Sequence, residues 1–133
     1  MPQTRSPAPT RRQALAGAAA SLAAGSALTQ ETASMYGLIG KMTARPGQGA
    51  ALAQVLLEGV SGMPGCLSYV VAADPAAPDV LWITEVWETG EAHRASLSLP
   101  SVQAAIARGR PMIAALESVA QTQPLGGHGL GGA

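Results

Sequence analysis

Three side chains in the stretch TEVWETGEAHRASL, residues 84–97, have the types and spacing that acid–base chemistry on an aromatic compound needs. His93 is the natural proton acceptor, because an unperturbed imidazole has a pKa of about 6.5. Trp87 offers an aromatic wall and an indole N–H donor. Glu85 precedes Trp87 by two positions, so an extended strand places both side chains on one face. We predict His93, Trp87 and Glu85 as catalytic residues.

Each of the three also has an ordinary structural role that the sequence leaves open. His93 fits an exposed position in the first turn of a helix, and Trp87 fits core packing, which is the usual place of a strand tryptophan. Glu85, if it faces inward, needs a partner such as an arginine or the imidazole, and a purely structural salt bridge would supply one.

A second group is predicted to bind the substrate. The hydroxyl groups of Tyr69 and Tyr36 can hydrogen-bond a substrate oxygen, and the Arg94 guanidinium can steady an oxyanion. Alternatively, the two tyrosine rings belong to the core with their hydroxyl groups in water, and Arg94 is an ordinary solvated arginine on a helix. Trp82 has the opposite strand parity to Trp87, so one of the two faces the helices and the other faces away.

The elements that must position these residues follow a regular order. Strand patterns are SMYGLIGKMTAR, CLSYVVAA, VLWITEVWE and a weaker final strand around residues 117–123. Helix patterns are AALAQVLLEGV, a helix capped by Thr89, and a helix with Pro100 in its first turn. The segment DPAAPD is predicted to be a loop, because proline disrupts both regular structures. The order strand, helix, strand, strand, helices, strand predicts an α+β fold.

This fold is a four-stranded sheet covered on one face by helices. The other face would stay bare and apolar in a monomer. Because an apolar face of that size usually marks an interface, we predict a homodimer formed sheet against sheet.

The amino-acid composition gives no support to several classes of function, including nucleic-acid binding and metal binding. The chain has 133 residues, 47% of them hydrophobic, and a formal net charge of zero. This length is typical of one domain, and the charge balance gives no support to a nucleic-acid partner. The single cysteine, Cys66, allows neither an intramolecular disulfide nor a cysteine-cluster metal site. The histidines His93 and His128 are too far apart in sequence to suggest a metal site.

The N-terminal segment, residues 1–32, has the pattern of an export signal. The twin arginine Arg11-Arg12 precedes an Ala-rich apolar stretch and small residues, which predicts a twin-arginine signal peptide and a periplasmic or extracellular bacterial protein. A disordered Ala-rich extension is the alternative. The domain is predicted over residues 34–124, followed by a flexible Gly-rich tail, residues 125–133.

The domain resembles the antibiotic biosynthesis monooxygenase family of dimeric α+β barrels. The motifs that carry the resemblance, from about Tyr36 to Gln123, are Pro46-Gly47, Met63-Pro64-Gly65-Cys66-Leu67-Ser68-Tyr69, Glu85-Val86-Trp87 and His93-Arg94-Ala95-Ser96. The resemblance implies a ferredoxin-like fold with an antiparallel sheet, which dimerises through its sheets, and a pocket between sheet and helices in each subunit. Known family activities are oxygenation of phenols or quinols without flavin or metal and, in one branch, haem breakdown. That branch relies on an asparagine, which this chain lacks.

The resemblance therefore implies a monooxygenase that uses no cofactor, with a quinol or phenol and dioxygen as its substrates. The protein would bind the ring, remove a proton and stabilise reduced oxygen in a dry cavity. Two alternatives remain: a non-catalytic module that binds a small aromatic compound in the same pocket, and a structural dimer without a ligand.

Overall fold

The structure, a computed structural model, describes residues 34–130. Its four strands and three α-helices follow the predicted order. The strands are β1 (Tyr36–Ala44), β2 (Cys66–Asp74), β3 (Ala77–Trp87) and β4 (Ile113–Thr122). The helices are α1 (Gly49–Gly59), α2 (Gly90–Ser96) and α3 (Pro100–Gly109), and a 3₁₀ turn, Arg110–Met112, leads into β4.

The strands form one antiparallel sheet in the order β2-β3-β1-β4. The helices pack on one of its faces, and α1 also packs against α3. The arrangement is the predicted ferredoxin-like α+β fold, and the fold prediction is confirmed.

Strand parity decides which side chains meet the helices. In β3, Leu81, Ile83 and Trp87 are buried beneath the helices, and they share this face because they lie at even spacings. Leu52 of α1 packs on the same core and is fully buried. Trp82 lies on the opposite face. Of the two tryptophans in this strand, Trp87 is therefore the one that faces the helices.

Two element boundaries differ from the predicted ones by three or four residues. The segment predicted as a loop includes Pro78, yet β3 begins at Ala77. Pro78 precedes the part of β3 that pairs with β1, where Thr43 pairs with Val80. The missing N–H therefore removes no bond between those two strands, and a proline near the start of a strand is tolerated. The final strand begins at Ile113, four residues before the predicted start.

The predicted starts of α2 and α3 are confirmed. The Thr89 hydroxyl accepts a hydrogen bond from the Ala92 backbone N–H at 3.0 Å, which caps α2. Pro100 lies in the first turn of α3, and a tight turn containing Pro111 follows that helix.

The predictions for the two termini are covered only in part by the described residues, 34–130. The predicted signal peptide, residues 1–32, lies outside the described residues. Residues 125–130 of the predicted tail contain neither helix nor strand. Within the described part of the chain, every helix is too short or too polar to span a bilayer.

Candidate active site

A cavity of about 490 Å³ lies between the sheet and the three helices. Most of its lining is aliphatic and comes from α1, α3 and strands β1 and β4. The aliphatic side chains that line it include Met42, Leu52, Leu56, Val102, Ile106 and Ile113. Such a lining favours an apolar ligand. The few polar groups then determine how that ligand is oriented in the cavity.

Polar side chains gather at the end of the cavity formed by β3 and α2. The Trp87 indole N–H donates to a carboxylate oxygen of Glu85, with 2.9 Å between Nε1 and Oε1. The same Glu85 oxygen lies 3.9 Å from Nε2 of His93. This second distance is longer than a hydrogen bond, so the two groups interact by charge only when the imidazole is protonated.

The His93 ring is held between two aromatic rings. Its centroid lies 5.5 Å from that of Trp87, nearly edge-on at 72°, and 5.4 Å from that of Tyr36, tilted by 31°. Aromatic pairs at these separations and angles attract each other. The imidazole is therefore oriented by packing as well as by its helix.

Burial sets the electrostatics of this end of the cavity. Desolvation raises the pKa of Glu85, while the hydrogen bond from Trp87 and the nearby His93 partly oppose that rise. Desolvation, reinforced by the Glu85 charge, raises the pKa of Tyr69 far above its ordinary value. The Tyr69 hydroxyl thus keeps its proton at neutral pH and is available as a donor.

Local sequence fixes α2, the helix that carries His93. Besides the Thr89 cap, the turn before β2 brings Gly65 against the helix. Gly65 has a positive φ of 80°, and a Cβ there would lie 2.6 Å from the Ala92 side chain. Only glycine allows both this backbone conformation and this close approach. The buried Ser96 hydroxyl donates to the His93 carbonyl, which tightens the end of the helix.

The structure brings together four of the six predicted site residues. Trp87, Glu85, His93 and Tyr69 line the cavity. The remaining two, Tyr36 and Arg94, are not among the lining residues: Tyr36 packs on the outer side of the His93 ring, and Arg94 is exposed on α2. The catalytic and binding roles of all six remain predictions.

Most of the lining residues were not predicted as site residues, among them Ser96, Arg110 and Leu116. Arg110 follows a helix-ending glycine and precedes a proline, a pattern that predicts a turn but not the direction of its side chain. Leu116 was placed before the predicted final strand. Ser96 ends the motif His93-Arg94-Ala95-Ser96, but the motif does not indicate that this residue lines the cavity.

Metal-binding groups do not cluster in this region. Across residues 34–130, no three His, Cys, Asp or Glu side chains lie close enough together to hold an ion. Cys66 is a free cysteine at the start of β2, and desolvation raises the pKa of its thiol.

Comparisons with known proteins agree with this architecture. Residues 35–108 match the family described as antibiotic biosynthesis monooxygenase. A crystal structure from Chloroflexus aurantiacus J-10-fl, described as an antibiotic biosynthesis monooxygenase, is 68% identical, with a TM-score of 0.72 over 74% of this chain and 100% of that one. No curated protein matches the chain.

More distant structures support the fold alone. A protein from Caulobacter crescentus CB15 shares 20% identity, with a TM-score of 0.61 over 71% of this chain and 92% of that chain. One from Nitrosomonas europaea shares 13% identity, with a TM-score of 0.65 over 71% and 93%. Because the family match spans more than half of the sequence and a 68% identical structure is covered in full, the chain belongs to the antibiotic biosynthesis monooxygenase family.

Proposed function

We propose that this protein is a cofactor-independent monooxygenase that oxidises a quinol or polyphenol-type aromatic compound with dioxygen. The observation that carries the proposal is the cluster of His93, Glu85 and Trp87 at one end of an otherwise apolar cavity. An aromatic substrate would bury its ring against Trp87 and present a hydroxyl group to His93.

In the proposed reaction, His93 takes the hydroxyl proton of the substrate. The resulting phenolate or quinol anion gives electrons to dioxygen far more readily than the neutral compound does. One oxygen atom enters the ring and the other leaves as water. The oxidised ring supplies all four electrons, so a phenol becomes a quinone and a quinol becomes a hydroxyquinone.

The remaining polar groups have supporting roles in this proposal. Glu85 stabilises the imidazolium that forms when His93 accepts the proton, because the carboxylate lies 3.9 Å away. Tyr69 donates a hydrogen bond to a substrate oxygen, since its raised pKa keeps the hydroxyl protonated. Tyr36 acts through His93 as a positioning residue. Arg94 would reach the substrate only if its exposed side chain turned towards the cavity.

A homodimer is part of the proposal. The sheet face opposite the helices carries apolar side chains, including Trp82 and the half-exposed Val70. Burying this face against a second copy would remove apolar area from water, which is the main driving force for association. Export by the twin-arginine route is proposed from the N-terminal sequence and is tested by locating the processed protein in bacterial cell fractions.

One observation favours the non-catalytic alternative, a binding module for small aromatic compounds. The 3.9 Å separation between His93 and Glu85 exceeds hydrogen-bond length, so the imidazole lacks the direct orientation by a carboxylate that many general bases have. Such a module would bind quinols in the same cavity without consuming oxygen.

Oxygen uptake by the purified protein with a panel of naphthoquinols and polyphenols separates these functions, after subtraction of autoxidation. Labelled dioxygen should place one labelled atom in the organic product and one in water. Trp87→Phe should lower the saturable uptake at least tenfold, whereas Trp82→Phe, on the opposite sheet face, should leave it unchanged. Uptake no faster than autoxidation, together with saturable binding of the same compounds, would establish the binding module.

A further inference from the structure

An exposed arginine, Arg110, also lines the cavity, from the 3₁₀ turn between α3 and β4. Trp87 pairs with residue 36 of β1, and Ile113 pairs with residue 44 of the same strand. Those eight steps correspond to about 26 Å along the strand. Trp87 and Ile113, which line the cavity near the His93 cluster and near Arg110, are thus separated by most of the length of the sheet.

The lining between the two ends is apolar. Leu52 and Leu56 of α1 line the cavity together with Val102 and Ile106 of α3. The cavity, of about 490 Å³, thus has polar lining residues near both ends of the sheet and apolar residues between them. It suits a molecule with a ring at one end and an apolar chain in the middle.

The turn that carries Arg110 is fixed to the sheet. Arg45, just after β1, donates its backbone N–H to the Met112 carbonyl at 2.8 Å and its side-chain Nε–H to the Pro111 carbonyl at 2.9 Å. The Arg110 N–H donates to the Ile106 carbonyl. The backbone that carries the guanidinium is therefore braced, so binding a ligand has to order only the Arg110 side chain.

Arg110 has no carboxylate partner among residues 34–130. The ion pairs there are Lys41–Glu117, Arg108–Glu58 and the approach of His93 to Glu85. A planar guanidinium beside an apolar cavity is suited to a carboxylate, which it binds through two parallel hydrogen bonds. Its position beyond the end of α3 also suits the helix dipole, so the test must separate ligand recognition from helix capping.

We infer that Arg110 is a specificity-determining residue for an elongated substrate that carries a carboxylate on an apolar chain, at the end remote from its oxidisable ring. The identification of that ligand as a substrate rests on the proposed function. The selectivity for an acidic chain end is a binding property and can be measured without turnover.

The experiment is calorimetric titration of the full chain with naphthoquinones that carry ω-carboxyalkyl chains of increasing length, each compared with its methyl ester. The oxidised ring prevents turnover. At the best chain length the acid should bind at least tenfold more tightly than the ester. Arg110→Gln should remove this difference and leave ester binding unchanged, and Arg110→Lys should retain part of it. Arg108→Gln, which removes a neighbouring charge outside the cavity, should leave the difference intact.

Equal binding of acid and ester by the unmodified protein would overturn the inference, and this comparison needs no variant to fold. An equal loss for both ligands in Arg110→Gln would also overturn it, because that pattern marks a structural role at the helix end. Acid-selective binding without oxygen uptake would support the inference while the proposed oxygenation fails. Oxygen uptake with no preference for the acid would support the proposed oxygenation and overturn the inference about Arg110.

Discussion

The indole N–H of Trp87 donates to the carboxylate of Glu85, two residues earlier on the same strand, with 2.9 Å between the two atoms. Trp87 is only 1% exposed. The bond gives the buried indole N–H an acceptor and gives the carboxylate one donor where water is scarce. It also holds the carboxylate beside His93, so one strand supplies both the wall of the cavity and its negative charge.

Glu85→Gln should make the protein more stable at neutral pH. Because folding raises the pKa of Glu85, the folded state binds more protons than the unfolded state between the two pKa values. Stability therefore falls as the pH rises through that window, which begins near the ordinary value of 4.5, and is level above it. Removing the buried charge should recover about 1 kcal/mol, roughly 4–8 °C in Tm for a domain near this size.

Thermal unfolding from pH 4 to pH 8 checks this expectation. The gain should be largest at neutral pH and should vanish at the acidic end of the range. Glu88→Gln, at an exposed position just after the strand, is the matched control and should change Tm little. A Glu85→Gln protein less stable than the unmodified one at pH 7 would show that the charge itself is needed.

Gly65→Ala should be more harmful than Gly62→Ala, although both glycines have positive φ. At Gly62 the added methyl group meets no atom within 4 Å, so only the backbone cost applies. At Gly65 it also meets Ala92 at 2.6 Å and must push away the helix that carries His93. We expect an additional loss of about 1–3 kcal/mol in denaturant unfolding. Equal losses of stability in the two variants would mean that displacing α2 costs no free energy.

Thr89→Ala should lower stability by about 1 kcal/mol and reduce turnover, because the hydroxyl caps the helix that presents His93. Thr89→Ser keeps the capping oxygen and should behave like the unmodified protein. Urea titration measures the first effect, and oxygen uptake measures the second. A serine variant as impaired as the alanine variant would assign the effect to the lost methyl group.

Thr84→Arg should dissociate the proposed homodimer. Thr84 is exposed at the centre of the open sheet face, between Ile39 of β1 and Val70 of β2. A charge there would be buried without a partner at a sheet-to-sheet interface. Sedimentation analysis should show a monomer, whereas Leu57→Arg, on the outer side of α1, should remain a dimer. A monomeric unmodified protein would refute the proposed assembly directly.

Local patterns were enough to predict the element order and part of the site. Strand periodicity placed Glu85 and Trp87 on one face, and the cap at Thr89 fixed the start of the helix that carries His93. Those features depend on residues close together in sequence. Which sheet face the helices cover depends on packing between distant segments. The strand pattern alone therefore could not show whether Trp87 or Trp82 faces the helices.

The missed features also have a non-local origin. Pro78 lies in a strand because that part of β3 extends beyond its pairing with β1, and the proline pattern contains no information about register. Arg110 reaches the cavity because the turn is braced by Arg45, which is 65 positions earlier in the chain.

The central claim is that His93 acts as the base in a cofactor-free oxygenation. The most direct measurement is oxygen uptake with a saturating naphthoquinol by the unmodified protein, by His93→Ala and by His128→Ala, which removes a histidine outside the cavity. We predict saturable uptake that falls at least tenfold in His93→Ala alone, with all three proteins retaining the same oligomeric state. Uptake in His93→Ala equal to that of the unmodified protein would contradict the claim.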